Sequence, residues 1–440
     1  LCAQFAITQS KRDGEITGRV LLEDGRPLAG VEVSVNRIGV KRGAEQTAFS
    51  DEEGNFRFAN LAPGVYSADA GMPGFIVEGA SRGSNVYRIG EQALIRLAKG
   101  GVITGRATDE AGEPLVGVYV SPHRVRGVEA ESPDREARMS GMTGGLTDDR
   151  GVYRIYGLPP GVYVVGIGGE LGDGNGDSSQ VGRDAPTYYP SVPRDVAAEV
   201  TLRGSEEATG IDIRHRGEPG RAVSGAITGA VDSPHPYWNA SVTLRSVEPG
   251  RFEASTGVQN SRGFAIYGVP EGEYEVRAWR RGDDDETGAS SLPKRISVKG
   301  ADLTGIELRM LKFGAIAGRV AVEAAAKKCE VPARLSFVEE ITLRPLRDEA
   351  KRDAANPDGW WRESRFGAVP NAAGEFRMND LGAGRYFLAA NLPDENWYIR
   401  SIGAPAPAAV KRTPATKPVV AAPPGIALKS GEMLSAVEVK

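Results

Sequence analysis

Along most of the chain, apolar and polar residues alternate with a period of two in short runs, separated by Gly, Pro, Asn and Asp. This is the pattern of half-buried β-strands joined by turns, since successive strand side chains point to opposite faces of a sheet. One segment occurs four times: GNFRFANLAPGVYSADA at 54–70, GVYRIYGLPPGVYVVGI at 151–167, RGFAIYGVPEGEYEVRA at 262–278 and GEFRMNDLGAGRYFLAA at 374–390. Each copy starts its cadence on an aromatic, Phe56, Tyr153, Phe264 or Phe376. Eight residues on stands Gly64, Gly161, Gly272 or Gly384, and ten on stands Tyr66, Tyr163, Tyr274 or Tyr386. Alternation through Phe56/Phe58, Tyr153/Ile155, Phe264/Ile266 and Phe376/Met378 predicts a strand with one inward face. The Pro-Gly piece predicts a turn, and the tyrosine a returning strand, together a β-hairpin. The tyrosine ring is expected in the core, with its hydroxyl meeting a partner near the surface.

Upstream lies a second signature, ITGRVLLEDGRPLAGVEVSV at 16–35 and ITGRATDEAGEPLVGVYVSP at 103–122. It is shortened to VSGAITGAV at 223–231 and IAGRVAVEA at 316–324. It also reads as hairpin chemistry. Downstream lies a closing strand pair at 200–214, 296–309 and 426–440. The leading aromatics are 97, 111 and 112 residues apart, the size of one sandwich domain and not of a solenoid repeat. The expected architecture is all-β: four tandem seven-stranded β-sandwiches at 14–98, 99–217, 218–312 and 313–440, after an N-terminal tail at 1–13. The short links at 99–101, 217–220 and 312–314 predict a stiff rod or hooked string.

The 440 residues include 54 Lys+Arg against 58 Asp+Glu, a net charge of −4, and no basic block. That balance argues against nucleic acid as partner. No run approaches the roughly 18 apolar residues of a spanning helix. The start, Leu1-Cys2-Ala3-Gln4, looks like the tail of a secretory signal cut after Ala3. The expected location is therefore outside the cytoplasm: periplasmic, outer-membrane-associated or extracellular. A bacterial lipobox would also put a Cys here, but Leu1 is not the small residue it needs. Cys2 and Cys329 are the only cysteines, so the fold is not a disulfide scaffold. The last residues coincide with a closing strand, so further modules are expected beyond residue 440. The run 404–424, rich in Pro and Ala, predicts an irregular or polyproline II loop.

The phrases Asp24-Gly25-Arg26-Pro27-Leu28-Ala29-Gly30-Val31 and Asp51 to Tyr66, with their equivalents in the second copy, resemble the carboxypeptidase regulatory-like domain. The resemblance implies a transthyretin-like sandwich, and modules of this kind strung together in bacterial envelope proteins, sometimes ahead of an outer-membrane receptor barrel. Collagen-adhesin B-type modules have a similar cadence and imply a Lys–Asn isopeptide bond with a buried Glu after the tyrosine. Only Glu275, beside Tyr274, stands near that place.

Candidate chemistry is sparse. His215-Arg216-Gly217-Glu218 has the H-x-x-E spacing of two zinc ligands, but it lies in a glycine-rich link without a third ligand, and is expected to be exposed. The other histidines are His123 and His235. No G-x-S-x-G elbow or phosphate loop is present. Asp173, Asn175 and Asp177 alternate as in calcium loops, with Asp184 at the twelfth place, but Ser178 stands where the turn needs Gly. No other cofactor is expected; the acidic turn at 283–286 is expected to be solvated. Trp360, Trp361, Trp397, Tyr237 and Trp238 could stack on sugar rings. The sequence thus points to a non-enzymatic exported array serving as spacer or interaction and adhesion scaffold at a bacterial envelope, with a glycan or another envelope protein as partner. The alternative is a carbohydrate-binding accessory region of a larger secreted enzyme or outer-membrane receptor.

Overall fold

The computed structural model describes residues 14–39, 45–78, 86–126, 145–169, 180–229, 240–248, 253–258, 262–280, 282, 287–323, 335–348, 367–393, 397–403 and 425–440. The fold is all-β. In the first copy two four-stranded sheets face each other. One runs in the order Asn55–Phe58, Ile16–Leu22, Gln92–Lys99, Phe75–Val77. The other runs Gln46–Phe49, Glu32–Arg37, Val65–Gly71, Val86–Arg88. The opening strand is antiparallel to Asn55–Phe58 and parallel to Gln92–Lys99. The same parallel pairing of first and last strands occurs in the other copies, on Ile213–Arg214, Leu303–Lys312 and Met433–Val439.

That parallel pair explains a glycine. A Cβ at Gly18 would stand 2.4 Å from the Ala93 carbonyl, at Gly105 2.0 Å from Ile211 O, at Gly225 1.9 Å from Ile306 O and at Gly318 1.9 Å from Val437 O. Only a residue without a side chain lets the closing strand approach this closely. The I-x-G signature is therefore a contact requirement.

Pairing corrects the two hairpin expectations. Asn55–Phe58 pairs with Ile16–Leu22, whereas Val65–Gly71 pairs with Glu32–Arg37 in the opposite sheet. The aromatic and tyrosine strands are thus joined by a corner that crosses the core, and so are Ile16–Leu22 and Glu32–Arg37. In the second and fourth copies the closing strands likewise divide between opposite sheets. Phe56, Leu61 and Tyr66 all enter one core cluster, facing each other across it. At the crossing, the residue four after the leading aromatic has a positive φ in every copy: Asn60 at 59°, Gly157 at 74°, Gly268 at 66° and Asp380 at 61°. Asn and Asp are the residues that share this region with Gly at least cost.

The third copy departs from a two-sheet sandwich. Ala289–Ser291 pairs with both Gly272–Arg280 and Leu303–Lys312, so its two layers merge into one eight-stranded rolled sheet. Four clusters of buried apolar residues follow the four copies, but they are not all separate. Val164 and Tyr188 of the second copy belong to the third copy's cluster, with Val125 and Ala197 packed against it.

The links are tight. Gly100 alone separates Gln92–Lys99 from Gly101–Thr108, and its amide donates to Gly74 O at 2.8 Å. Cβ atoms at Gly100 and Gly220 would lie 2.5 and 2.3 Å from the Cα atoms of Gly157 and Gly268. Phe313, between Leu303–Lys312 and Gly314–Val320, is buried. The chain does not run as a straight rod, because the first and fourth copies touch. Arg37 Nη2 donates to Glu339 Oε1 at 2.8 Å, and Arg88 reaches Glu340 O at 3.1 Å and Asn391 Oδ1 at 3.1 Å.

Candidate functional site

The repeated cadence builds one constellation four times. Tyr66, Tyr163, Tyr274 and Tyr386 are buried. Each hydroxyl donates to the carbonyl four residues earlier: Ala62 at 2.7 Å, Pro159 at 2.6 Å, Pro270 at 2.8 Å and Gly382 at 2.7 Å. This is a tyrosine corner, in which the side chain supplies the donor that the crossing backbone lacks. In three copies an arginine clamps the next carbonyl. Arg124 donates to Pro160 O at 2.5 Å and Arg347 to Ala383 O at 2.6 Å, and Arg37 binds Pro63 O in the same way. Each arginine is the register partner of its tyrosine; in the third copy Ser246 takes that place. The arginines close the runs VSVNR, VSPHR and LRPLR, a signal that sequence reading passed over.

His215 is buried and not exposed, which corrects the expectation. Its Nε2 lies 2.9 Å from Asp184 Oδ2 and its Nδ1 3.3 Å from Thr187 Oγ1. Asp184 Oδ1 accepts from Gln180 Nε2 at 2.9 Å, and Thr187 Oγ1 accepts the Arg216 amide at 3.2 Å. The link is drawn inward because Ala185 N–H donates to Glu218 O at 2.7 Å and His215 N–H to Thr108 O at 2.7 Å. Glu218 turns away to Arg216, so His215 and Glu218 do not converge. A hydroxyl, an imidazole and a carboxylate in sequence suggest a nucleophile relay, but Thr187 has no exposed surface and cannot meet a substrate. The cluster instead ties the link to the second copy. Beside it, burial pushes the Tyr188 hydroxyl up, opposed by Arg194, whose guanidinium lies 5.7 Å from the ring centroid.

Of the calcium candidates, Asp173, Asn175 and Asp177 lie outside the described residues, and Asp184 is engaged as above. Among the described residues no group of three or more His, Cys, Asp or Glu side chains could hold a metal ion. Of the glycan candidates, Tyr237, Trp238, Trp360 and Trp361 lie outside the described residues and Trp397 is half-buried. Trp279, which sequence reading did not single out, is 39% exposed on the third copy. The acidic turn at 283–286 and the run 404–424 also lie outside the described residues. Glu275 pairs with the exposed Arg295 at 3.1 Å, not with a buried lysine. Deeper in the third copy, burial lowers the Arg277 guanidinium to about 10, against the opposing pull of Glu275. Arg277 Nε donates to Ser290 Oγ and Ser291 O, both at 2.9 Å.

A groove of about 1040 Å³ opens in the fourth copy between Arg319, Arg400, Lys440, Glu323, Glu375 and Glu438. Four of its charges pair with one another: Arg400 with Glu323 at 2.6 Å, and Lys440 with Glu323 at 3.6 Å and with Glu438 at 3.3 Å. It has no field of one sign to gather an ion.

Residues 15–81 match the carboxypeptidase regulatory-like domain family, over the first copy's turn and corner motifs. No curated protein matches the sequence. Among solved structures, the chain is similar to the Bacillus anthracis TIE protein, with 16% identity, 67% of this chain and 50% of that chain covered, and a TM-score of 0.17. The chain thus spans about half of that protein. It is also similar to a minor pilin of Streptococcus agalactiae, with 16% identity, 46% and 95% covered, and a TM-score of 0.21. A third is the major pilin SpaD of Corynebacterium diphtheriae, with 8% identity, 69% and 98% covered, and a TM-score of 0.17.

Proposed function

We propose that the chain is a non-enzymatic, exported array of β-sandwich modules that serves as spacer and interaction scaffold at a bacterial cell envelope. The observation that carries this reading is the fourfold tyrosine corner: one structural device repeated, with its polar groups spent on holding the crossing together. The shared apolar cluster between the second and third copies supports it, because it fixes those neighbours at a defined angle. The arrangement that most resembles catalytic machinery, His215 with Asp184 and Thr187, is enclosed and does structural duty.

The test is turnover. The purified chain is assayed on chromogenic esters, peptides and glycosides beside a His215→Ala variant and applied to a glycan array. The reading expects no turnover that the variant abolishes. Turnover lost with His215 would overturn it. Array binding that disappears with Trp360→Ala, Trp361→Ala and Trp397→Ala together would favour the carbohydrate-binding accessory alternative.

A further inference from the structure

We propose that the contact between the first and fourth copies is a polar latch that closes the array on itself, and that its release lets the first copy swing out about Gly100. The inference builds on the scaffold reading, since an array that opens changes its reach, but the latch geometry stands without it.

The contact is made by long charged side chains between residues 252 to 304 apart in sequence. Arg37 binds Glu339 at 2.8 Å, with the two side chains 23% and 16% exposed. Arg88 is more enclosed, at 11%. It donates from Nε to Glu340 O at 3.1 Å and from Nη2 to Asn391 Oδ1 at 3.1 Å and Leu392 O at 3.4 Å. Beside these, the Gly39 turn of the first copy lies against Val369 of the fourth. The apolar clusters of the two copies share no residue. Apart from the Gly39 turn, the described contact is made of charge-assisted hydrogen bonds, which are directional and weakened by water and salt.

Gly100 is the natural pivot. It is one residue between two strands; turning about it gives up the Gly100 N–H bond to Gly74 O and the close approach to Gly157, but the first and second clusters share no residue. Rotation at the next joint would have to pull Val164 and Tyr188 out of the third copy's apolar cluster. The latch thus yields with less loss of apolar burial than the joint between the second and third copies.

The test is disulfide trapping in the full chain, with Cys2→Ser and Cys329→Ser as background. A Cβ at Gly39 would stand 3.1 Å from Val369 Cβ and Gly39 holds φ at +78°, so the Gly39 turn must shift by a few tenths of an ångström for Gly39→Cys and Val369→Cys to reach the roughly 3.5–4.5 Å Cβ separation of a disulfide. The bridge is expected to form in the otherwise unaltered chain once circular dichroism shows that the cysteine pair leaves it folded. It is expected to form at least several-fold more slowly with Glu339→Lys and Asn391→Ala. Without the cysteine pair, those two substitutions are expected to raise the small-angle scattering radius of gyration by roughly a fifth, given modules of about 13 Å each. A salt series on the unsubstituted latch serves should the variant not fold: trapping is expected to slow between ~0.05 M and ~1 M NaCl, as the screening length falls to about 3 Å. Trapping rates and dimensions that neither salt nor substitution alters would overturn the latch. Neither outcome bears on turnover, so the scaffold reading is judged separately.

Discussion

The joint between the second and third copies and the contact between the first and fourth use opposite chemistry. At the first, Val125, Val164, Tyr188 and Ala197 belong to or pack on one apolar cluster, and His215, Asp184 and Thr187 tie the link down. At the second, Arg37 and Arg88 reach a glutamate, an asparagine and backbone carbonyls. Apolar burial is non-directional and grows with area at about 25 cal/mol per Å². Partly exposed ion pairs add little net stability but fix orientation and respond to salt. One module type therefore makes a joint by shared apolar burial in one place and a contact by polar side chains in another.

Substitutions can break that contrast, the strongest first. Tyr188→Ala removes a large, fully enclosed side chain from the shared cluster and is expected to cost about 3–5 kcal/mol. Chemical denaturation followed on both copies should show them separating into distinct transitions; a single unshifted transition would mean the cluster is not shared. His215→Ala leaves a buried carboxylate with only Gln180 beside it and is expected to cost about 1.5–3 kcal/mol. Proteolysis near 217–220 should accelerate with it, and an unchanged cleavage rate would refute its role in holding the link. Arg88→Ala acts at the other contact and is expected to lower stability by only about 1 kcal/mol while expanding the particle in solution scattering. A large loss of stability without expansion would reverse the assignment of the two contacts.

The sequence carried the corners clearly, because their requirements are local. An aromatic, a glycine and a tyrosine at fixed offsets are dictated by one crossing of the core, and they stand in the same register in every copy. What the crossing joins was not legible. Pro-Gly turn chemistry serves a hairpin and a corner alike, and only pairing distinguishes them: Tyr66 opposes Arg37, not a residue of Asn55–Phe58. The merging of the third copy's sheets through Ala289–Ser291 was hidden for a related reason, since a three-residue strand has too little periodicity to read. His215 looked exposed because its neighbours in sequence are Arg, Gly and Glu. Its partners, Asp184 and Thr187, lie about thirty residues away and meet it only when the link folds back. Arg37 and Glu339 are separated by most of the chain, and no local pattern joins them.

The claim on which the account rests is that one corner is built four times. Its most direct measurement is the change in unfolding free energy for Tyr66→Phe, Tyr163→Phe, Tyr274→Phe and Tyr386→Phe, each read by a probe in its own copy. Each substitution deletes only a hydroxyl and leaves one crossing carbonyl without its donor. The account expects a similar loss in all four, about 1 kcal/mol. A substitution without effect in one copy beside a full effect in another would contradict it.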